Sequence, residues 1–325
     1  MERPAGPPGM RQAAPFPGGP RPCRMNAPDH SPPPPRRKFF TRRRILTGLL
    51  GSGAAAGAWM RYVEPGWVKT VQHSVPLWTV RTAAPPLRLL HLSDFHADPM
   101  TPEEIGHAIQ LGIAQKPDLI CLTGDFITWK YDRWDEYAAV LAPLAAAAPV
   151  FAVLGNHDGG GWARHKGYPD TTLVRALLDR AGITLLHNRR TNLEMKGRRL
   201  TLAGLGDWWA DEMRPAEAFA GYTAERDTPV VLLSHNPDTK DRLSPWPWDL
   251  MLSGHTHGGQ LSLPFIGTPF APVRDKRFVR GLHPWSNRHL HITAGVGALH
   301  HMRFNCRPEI SMLELGLCAS HRSPD

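Results

Sequence analysis

One Asp-x-His pair, Asp94 and His96, and one His-x-His pair, His255 and His257, stand at the two ends of a set of residues able to hold metal ions. Between them lie Asp125 after Gly124, Asn156 within Gly155-Asn156-His157-Asp158, and His235 after Ser234. The donors are carboxylate, amide and imidazole, with no thiolate. Such a set suits Mn²⁺, Zn²⁺ or Fe and disfavours a structural cysteine-zinc site. Residues two apart in an extended segment leave the same side, so Asp94 and His96 are expected to grip one ion. His255 and His257 share that spacing; they either join on one ion or reach two neighbours, which two-metal hydrolases hold about 3.5–4 Å apart. Asp125, on a tight turn, can offer one oxygen to both ions.

Charge then points to a substrate class. Two divalent ions bring four positive charges, Asp94 and Asp125 return two negative ones, and a hydroxide between the ions removes one more. The positive remainder suits a phosphate ester, whose oxygens the ions clamp while they lower the pKa of the attacking water. His157, next to a ligand rather than one itself, is expected to protonate the leaving oxygen, with Asp158 orienting it.

Each motif follows an apolar run: Leu87 to Leu92, Leu119 to Thr123, Val150 to Leu154, Val230 to Leu233 and Leu250 to Ser253. Runs of this length bounded by Gly or polar residues read as buried strands. Thr101-Pro102-Glu103-Glu104 has a capping-box spacing with proline at the first helical position. Asp135 to Ala148 and Thr171 to Ala181 also read as helices. Alternating strands and helices predict a parallel α/β unit with ligands gathered at the carboxyl ends of its strands. Beyond Gly182 the segments Ile183 to Leu186, Arg199 to Leu205, Leu261 to Leu263, His289 to Ala294 and Ile310 to Leu317 predict a second, largely antiparallel sheet. Two packed sheets flanked by helices result.

The ordered set D-x-H, G-D, G-N-H-[DE], H, G-H-x-H resembles the signature of the calcineurin-like metallophosphoesterase superfamily, with no element substituted. The resemblance implies an α/β fold, a four-layer αββα sandwich of two mixed sheets flanked by helices. It implies two divalent metal ions, one on Asp94, His96, Asp125 and His257, the other on Asp125, Asn156, His235 and His255. A narrower likeness, to the YkuE/YaeI-like bacterial envelope branch, rests on Gly254 to Gln260, Pro264-Phe265, Arg303 to Ile310, and Arg61-Tyr62-Val63-Glu64-Pro65. It covers roughly Arg61 to the C-terminus. Where the branch commonly has Cys-Pro-Pro-Glu, this chain has Cys306-Arg307-Pro308-Glu309. The branch implies a phosphodiesterase acting on an envelope lipid or a lipid-linked sugar nucleotide resembling UDP-2,3-diacylglucosamine. A broad phosphomonoesterase or cyclic-nucleotide phosphodiesterase is the alternative. A non-catalytic scaffold is a second, opposed by the presence of every ligand.

The net charge of +9 sits mostly in the leader: residues 1–44 carry ten Lys or Arg against two acids, leaving 28 against 27 in the remainder. That distribution, without a binding motif, argues against a nucleic-acid partner. Of 33 prolines, 12 precede Arg36, so residues 1–40 read as a Pro/Arg-rich leader without structure. Either Met1 or Met25 serves as the start. Thr41-Arg42-Arg43-Arg44-Ile45-Leu46 and the uncharged stretch to Met60 match a twin-arginine signal, with Arg36-Arg37-Lys38-Phe39-Phe40 an overlapping match. Residues 41–60 are thus a cleaved signal or an N-terminal anchor, short for a spanning helix of about 20 residues. Residues 61–85 are assigned to a linker and first strand region, 86–318 to the catalytic domain and 319–325 to a tail. Twin-arginine machinery, the inner membrane and a phosphoester, lipid-linked diesters favoured, are the expected partners of a monomer. It is expected in the periplasm or on the outer face of the cytoplasmic membrane.

Cys23, Cys121, Cys306 and Cys318 form no disulfide framework, and Cys121 reads as a small buried residue. The twelve other histidines read as surface or packing groups. Trp208, Trp209, Trp246 and Trp248 read as core or surface aromatics, with a wall for a lipid substrate as the alternative.

Overall fold

The computed structural model describes residues 41–78, 85–225 and 227–317. The chain divides into two units, residues 1–47 and 48–325. Of the first, the described part is the opening of α1 (Arg42–Ala58). The leader ahead of Thr41 and the tail after Leu317 lie outside the described residues.

The second unit continues through β1 (Lys69–Trp78), β2 (Leu87–Leu92), α2 (Pro102–Ile113), β3 (Leu119–Leu122), α3 (Trp134–Ala147), β4 (Val150–Ala152), α4 (Thr172–Arg180) and β5 (Thr184–Leu185). There follow β6 (Arg189–Met195), β7 (Arg198–Gly204), α5 (Pro215–Ala218), β8 (Val230–Leu233), α6 (Thr239–Arg242) and β9 (Leu250–Ser253). The last strands are β10 (Gly281–Trp285), β11 (Arg288–Ile292) and β12 (Glu309–Leu317).

Strands buried on both faces need apolar residues at every position, and the side-chain alternation divides them between cores. β2 sends Leu90 and Leu92 into the core under α2, α3 and α4, where they meet Ile105, Leu141 and Leu177. Its Leu87 and Leu89 face the opposite way, into a core shared with Leu202, Val231 and Leu252 of the second sheet. The far face of that sheet buries Leu232, Met251 and Leu290 against Phe219, Leu243 and Trp248. Three cores between four layers make the expected αββα sandwich.

The first sheet has the order β1-β12-β2-β3-β4-β5 and the second β10-β11-β9-β8-β7-β6. From β2 to β5 neighbours are parallel, and β12 runs antiparallel to β2. The second sheet is not largely antiparallel: β11, β9, β8 and β7 are parallel, and only the outer pairs β10/β11 and β6/β7 are antiparallel. The crossovers that make this possible contain α5 and α6, four residues each, too short to print a 3.6-residue period. Two segments assigned to the second sheet belong to the first: Ile183–Leu186 supplies β5 on β4, and Ile310–Leu317 lies in β12. Leu261–Leu263 forms isolated bridges to Phe304 and Gly267 rather than a strand. β1 pairs with β12 as an edge strand, so the sheet takes in residues ahead of position 86.

The capping box of α2 forms in both directions, Glu104 N–H to Thr101 Oγ1 and Thr101 N–H to Glu104 Oε2. α1 buries none of its residues. Among the described residues, no helix is long and apolar enough to cross a membrane.

Candidate metal centre

The loops that follow β2, β3, β4, β8 and β9 converge at the carboxyl ends of the strands. Asp94 N–H donates to Gly124 O at 2.9 Å and His96 N–H to Asp125 O at 3.0 Å, so the loops after β2 and β3 are stitched together. Asp94 and His96 do not sit in an extended segment. Both have left-handed backbone, φ 56° and 49°, as do Asp125 at 54°, His255 at 67° and His257 at 51°. Single left-handed residues cost on the order of 1 kcal/mol, and their clustering here marks a backbone bent to aim side chains. Gly254 and Gly155 make room for it: a Cβ there would collide with Asp94 Oδ2 and Asp125 Oδ1.

All seven expected ligand residues are buried. Asp94, His96, Asp125 and His257 form one group and Asp125, His235 and His255 another, each with one ligand atom per residue inside a 4.8 Å span. Asp125 Oδ2 stands 3.5 Å from His96 Nε2 and 3.2 Å from His235 Nε2, which places it between the groups. His96 Nε2 faces His257 Nε2 at 3.0 Å, and His255 Nδ1 faces His235 Nε2 at 3.2 Å. His255 and His257 therefore serve different groups.

Tautomers follow from carbonyls, which only accept. His235 Nδ1 lies 2.6 Å from Thr123 O and His257 Nδ1 3.4 Å from Gly297 O, so those nitrogens carry the protons. The opposite Nε2 atoms face carboxylates, His235 at 3.2 Å from Asp125 Oδ2 and His257 at 3.6 Å from Asp94 Oδ1, so both positions favour a positive charge, a proton or a metal ion. The same field appears in the titration. Asp94 is pushed up to about 7, first by burial and also by Asp125. His235 is raised to about 10 by Asp125, against the effect of burial. Asp125 stays well below the usual range because the charges of His235 and His157 outweigh its burial. Burial holds His257 down to about 3 and His96 and His255 well below their ordinary value. Asn156 Oδ1 is buried without a hydrogen-bond partner. That orphaned oxygen, with lone pairs converging from imidazoles and carboxylates, fits divalent cations.

His157 stands beside the groups. Its N–H donates to Asp125 Oδ1 at 2.9 Å, and its Nδ1 lies 2.6 Å from Thr128 O. Trp129 and Trp162 stack on each other at 5.4 Å, and the His157 ring packs against both, with centroids 4.6 and 4.5 Å away. Asp158 does not orient it. The Asp158 carboxylate accepts the backbone N–H groups of Gly155, Asp125, Phe126 and Ile127, and so ties the loop after β3 to the loop after β4.

A cavity of about 460 Å³ opens over the groups, lined by Asn156, His157, His255 and His257 together with Trp129, Trp162, Trp209 and Lys166. Among the tryptophans singled out in the sequence, only Trp209 reaches it. Trp208 lies under the guanidinium groups of Arg242 and Arg274, and Trp246 and Trp248 pack in or against the outer core.

Sequence reasoning passed over Thr128, Trp129, Trp162 and Lys166. It also left Arg303 without a role. Arg303 is fully buried and donates to the carbonyls of His257, Ala294, Gly295, Gly297 and Cys306. Its guanidinium thereby fixes the backbone that carries His257 and the carbonyl that sets the tautomer of that ring. The Arg303–Ile310 run was the one available signal.

Mixed sheets whose strand ends converge on buried Asp and His groups define a metal-dependent phosphoric ester hydrolase. Residues 87–259 match the calcineurin-like phosphoesterase family, and the chain belongs to it. It is 43% identical over 279 residues to the phosphodiesterase YaeI of Escherichia coli (strain K12), covering 85% of this chain and 99% of YaeI. The metallophosphoesterase YkuE of Bacillus subtilis (strain 168) is 30% identical, with 85% and 97% covered. The UDP-2,3-diacylglucosamine pyrophosphatase LpxG of Chlamydia muridarum is 28% identical, with 82% and 95% covered.

Proposed function

We propose that the chain is a phosphodiesterase that holds two divalent ions and cleaves a lipid or lipid-linked sugar-nucleotide ester at the cell envelope. The observation that carries the two-ion reading is the position of Asp125, whose Oδ2 faces both ligand groups. One ion is assigned to Asp94, His96, Asp125 and His257. The other is assigned to Asp125, His235, His255 and the orphaned Asn156 oxygen. Donors of this kind suit manganese, zinc or iron. When bound, such ions lower the pKa of an attacking water and place positive charge against the phosphate oxygens.

The residues of the chain do the rest. His157 donates a hydrogen bond from Nδ1–H to the Thr128 carbonyl, which leaves Nε2 for the cavity; in the protonated form Nε2–H donates to the departing oxygen. The stacked pair of Trp129 and Trp162 packs against that ring and limits its movement. Lys166, its ammonium 5.0 Å from the Trp129 ring, adds a positive charge at the cavity. Leu261, Phe270, Pro272 and Leu299 line another part of it and suit an apolar portion of the substrate.

A diester preference is supported by the name of YaeI, and the lipid-linked sugar-nucleotide reading by that of LpxG. The arginines before Ile45 and the uncharged remainder of α1 from Ile45 to Ala58 support export through the twin-arginine route, ending in the periplasm or at the outer face of the membrane. The manganese-loaded protein is expected to turn over bis-p-nitrophenyl phosphate faster than p-nitrophenyl phosphate. A strong monoester preference would overturn the reading.

A further inference from the structure

Between Leu263 and Gly267 the chain folds back on itself: Leu263 N–H donates to Gly267 O at 2.8 Å and Gly267 N–H to Leu263 O at 2.9 Å. Pro264, Phe265 and Ile266 form the tip. Phe265 has a φ of 64° and is 111% exposed, so its ring is held clear of the fold on a strained backbone; Ile266 is 69% exposed. No packing within the fold accounts for two large apolar groups there. Phe270, equally exposed, stands at the catalytic cavity on the same loop, and the Lys276 ammonium donates to the neighbouring Ala271 carbonyl.

Behind the tip lies a second cleft of about 560 Å³, lined by Trp59, Trp67, Pro264, Arg280 and Arg307, with the buried Glu64 carboxylate held by Trp59 Nε1–H and the Cys306 N–H and with Lys69 paired to Glu309. Trp59 is the residue that follows α1, and the chain there is pinned to the domain by Arg303 N–H donating to Met60 O at 3.0 Å. The exit of the exposed helix, uncharged from Ile45 to Ala58, and the apolar tip thus border one cleft. Arg280 and Arg307 have no acidic partner among the described residues. Arg307 lies 3.9 Å over the Trp67 ring and donates to the carbonyls of Trp67 and Val68, and Arg280 donates to Cys306 Sγ at 3.6 Å.

We infer that this face docks on an anionic phospholipid bilayer, with Phe265 and Ile266 entering the acyl boundary and Arg280 and Arg307 meeting headgroup phosphates. Three observations select a bilayer as the occupant. Charge complementarity favours an anionic surface. Aliphatic, aromatic and basic side chains stand together as they do at membrane interfaces. The cleft is continuous with the end of α1, whose apolar residues are also exposed. The loop 261–270 borders the catalytic cavity on one side and the cleft on the other, so docking brings the cavity to the surface in which a lipid ester lies. The purpose of docking rests on the lipid-substrate reading above; the binding itself does not.

The test uses the full chain with a nitroxide on Ile266→Cys, Cys23 and Cys318 replaced by serine and the buried Cys121 and Cys306 retained. With vesicles of phosphatidylethanolamine and phosphatidylglycerol, the label is expected to become accessible to oxygen and shielded from a water-soluble relaxant. A label that stays in water while the protein is vesicle-bound would overturn the proposal. So would shielding without vesicles and a doubled mass, which makes a second copy the occupant. In the metal-loaded chain, Phe265→Ser with Ile266→Ser is expected to lower turnover of a phosphodiester lipid in such vesicles about tenfold or more. Turnover of soluble bis-p-nitrophenyl phosphate is expected to hold, and an equal loss on both substrates would count against docking. Insertion of the label without turnover of any lipid ester would leave docking standing and remove the substrate reading.

Discussion

The backbone N–H of His157 donates to Asp125 Oδ1 at 2.9 Å, so the loop after β4 steadies the carboxylate whose other oxygen faces both ligand groups. One peptide group ties the loop that carries His157 to the carboxylate shared by the two candidate ligand groups. Asp125→Asn keeps the size but halves the carboxylate charge of the centre. Its affinity for manganese is expected to fall by more than the roughly 10–100-fold typical of outer-shell changes. Elemental analysis after gel filtration, with circular dichroism to verify the fold, checks this; full retention of two ions would sink the shared-ligand reading.

His157→Asn is expected to keep the metals, because the ring contributes to neither group. Turnover of esters with poor leaving groups should drop roughly 10²-fold or more. The loss on p-nitrophenyl esters, whose leaving group needs little protonation, should be much smaller. A plot of log kcat against leaving-group pKa reads the difference, and equal losses across the series would refute the acid role.

Metal binding is expected to release protons. Asp94, raised to about 7, and His235, raised to about 10, must both give up a proton before their lone pairs can serve a cation. Below about pH 7 two protons leave; between about 7 and 10 only the His235 proton does. Affinity should therefore rise with pH, by about tenfold per pH unit for each proton released, and weaken on acidification. Calorimetric titration in buffers of different ionisation heat measures the count, and a heat independent of buffer would contradict it.

A histidine contact bridges the two sheets. His91 Nδ1 on β2 lies 2.9 Å from His291 Nδ1 on β11, and His91 Nε2 lies 2.8 Å from Thr123 Oγ1. Burial lowers His91 to about 3, and burial with the His91 charge holds His291 well below its ordinary value. Both titrate near 6.5 once unfolded, so the unfolded chain binds the extra protons. Their neutral forms stabilise the fold fully above about pH 6.5, and that stability is lost as pH falls below it, for His91 down to about 3, by about 1.4 kcal/mol per unit for each ring that stays neutral. His291→Leu should flatten the acid limb of urea stability against pH relative to the parent. An unchanged slope would mean that the pair is charged in the fold.

Much of the centre was legible because metal ligands must be Asp, His or Asn and must follow strands that end together. Asp94 and His96 do stand in one candidate group, but on a geometry other than the extended one expected, since both have left-handed backbone. Asp158 looked like a partner for the neighbouring ring and is a staple between loops. Its hydrogen bonds go to four backbone groups, three of them more than 30 residues away, and adjacency in sequence carries no information about such a reach.

The order of the motifs, the donor types and the strand before each one were determined by the sequence itself, because they depend on residue identity and local period. Tertiary structure alone decided that His255 and His257 part company, that β5 and β12 join the first sheet, and that Trp129 and Trp162 close on His157. It also decided that Arg303 is buried beneath the loop that holds His257. Each of these depends on where separate segments meet after the chain has closed, and β pairing or a buried guanidinium leaves no period in the residues that make it.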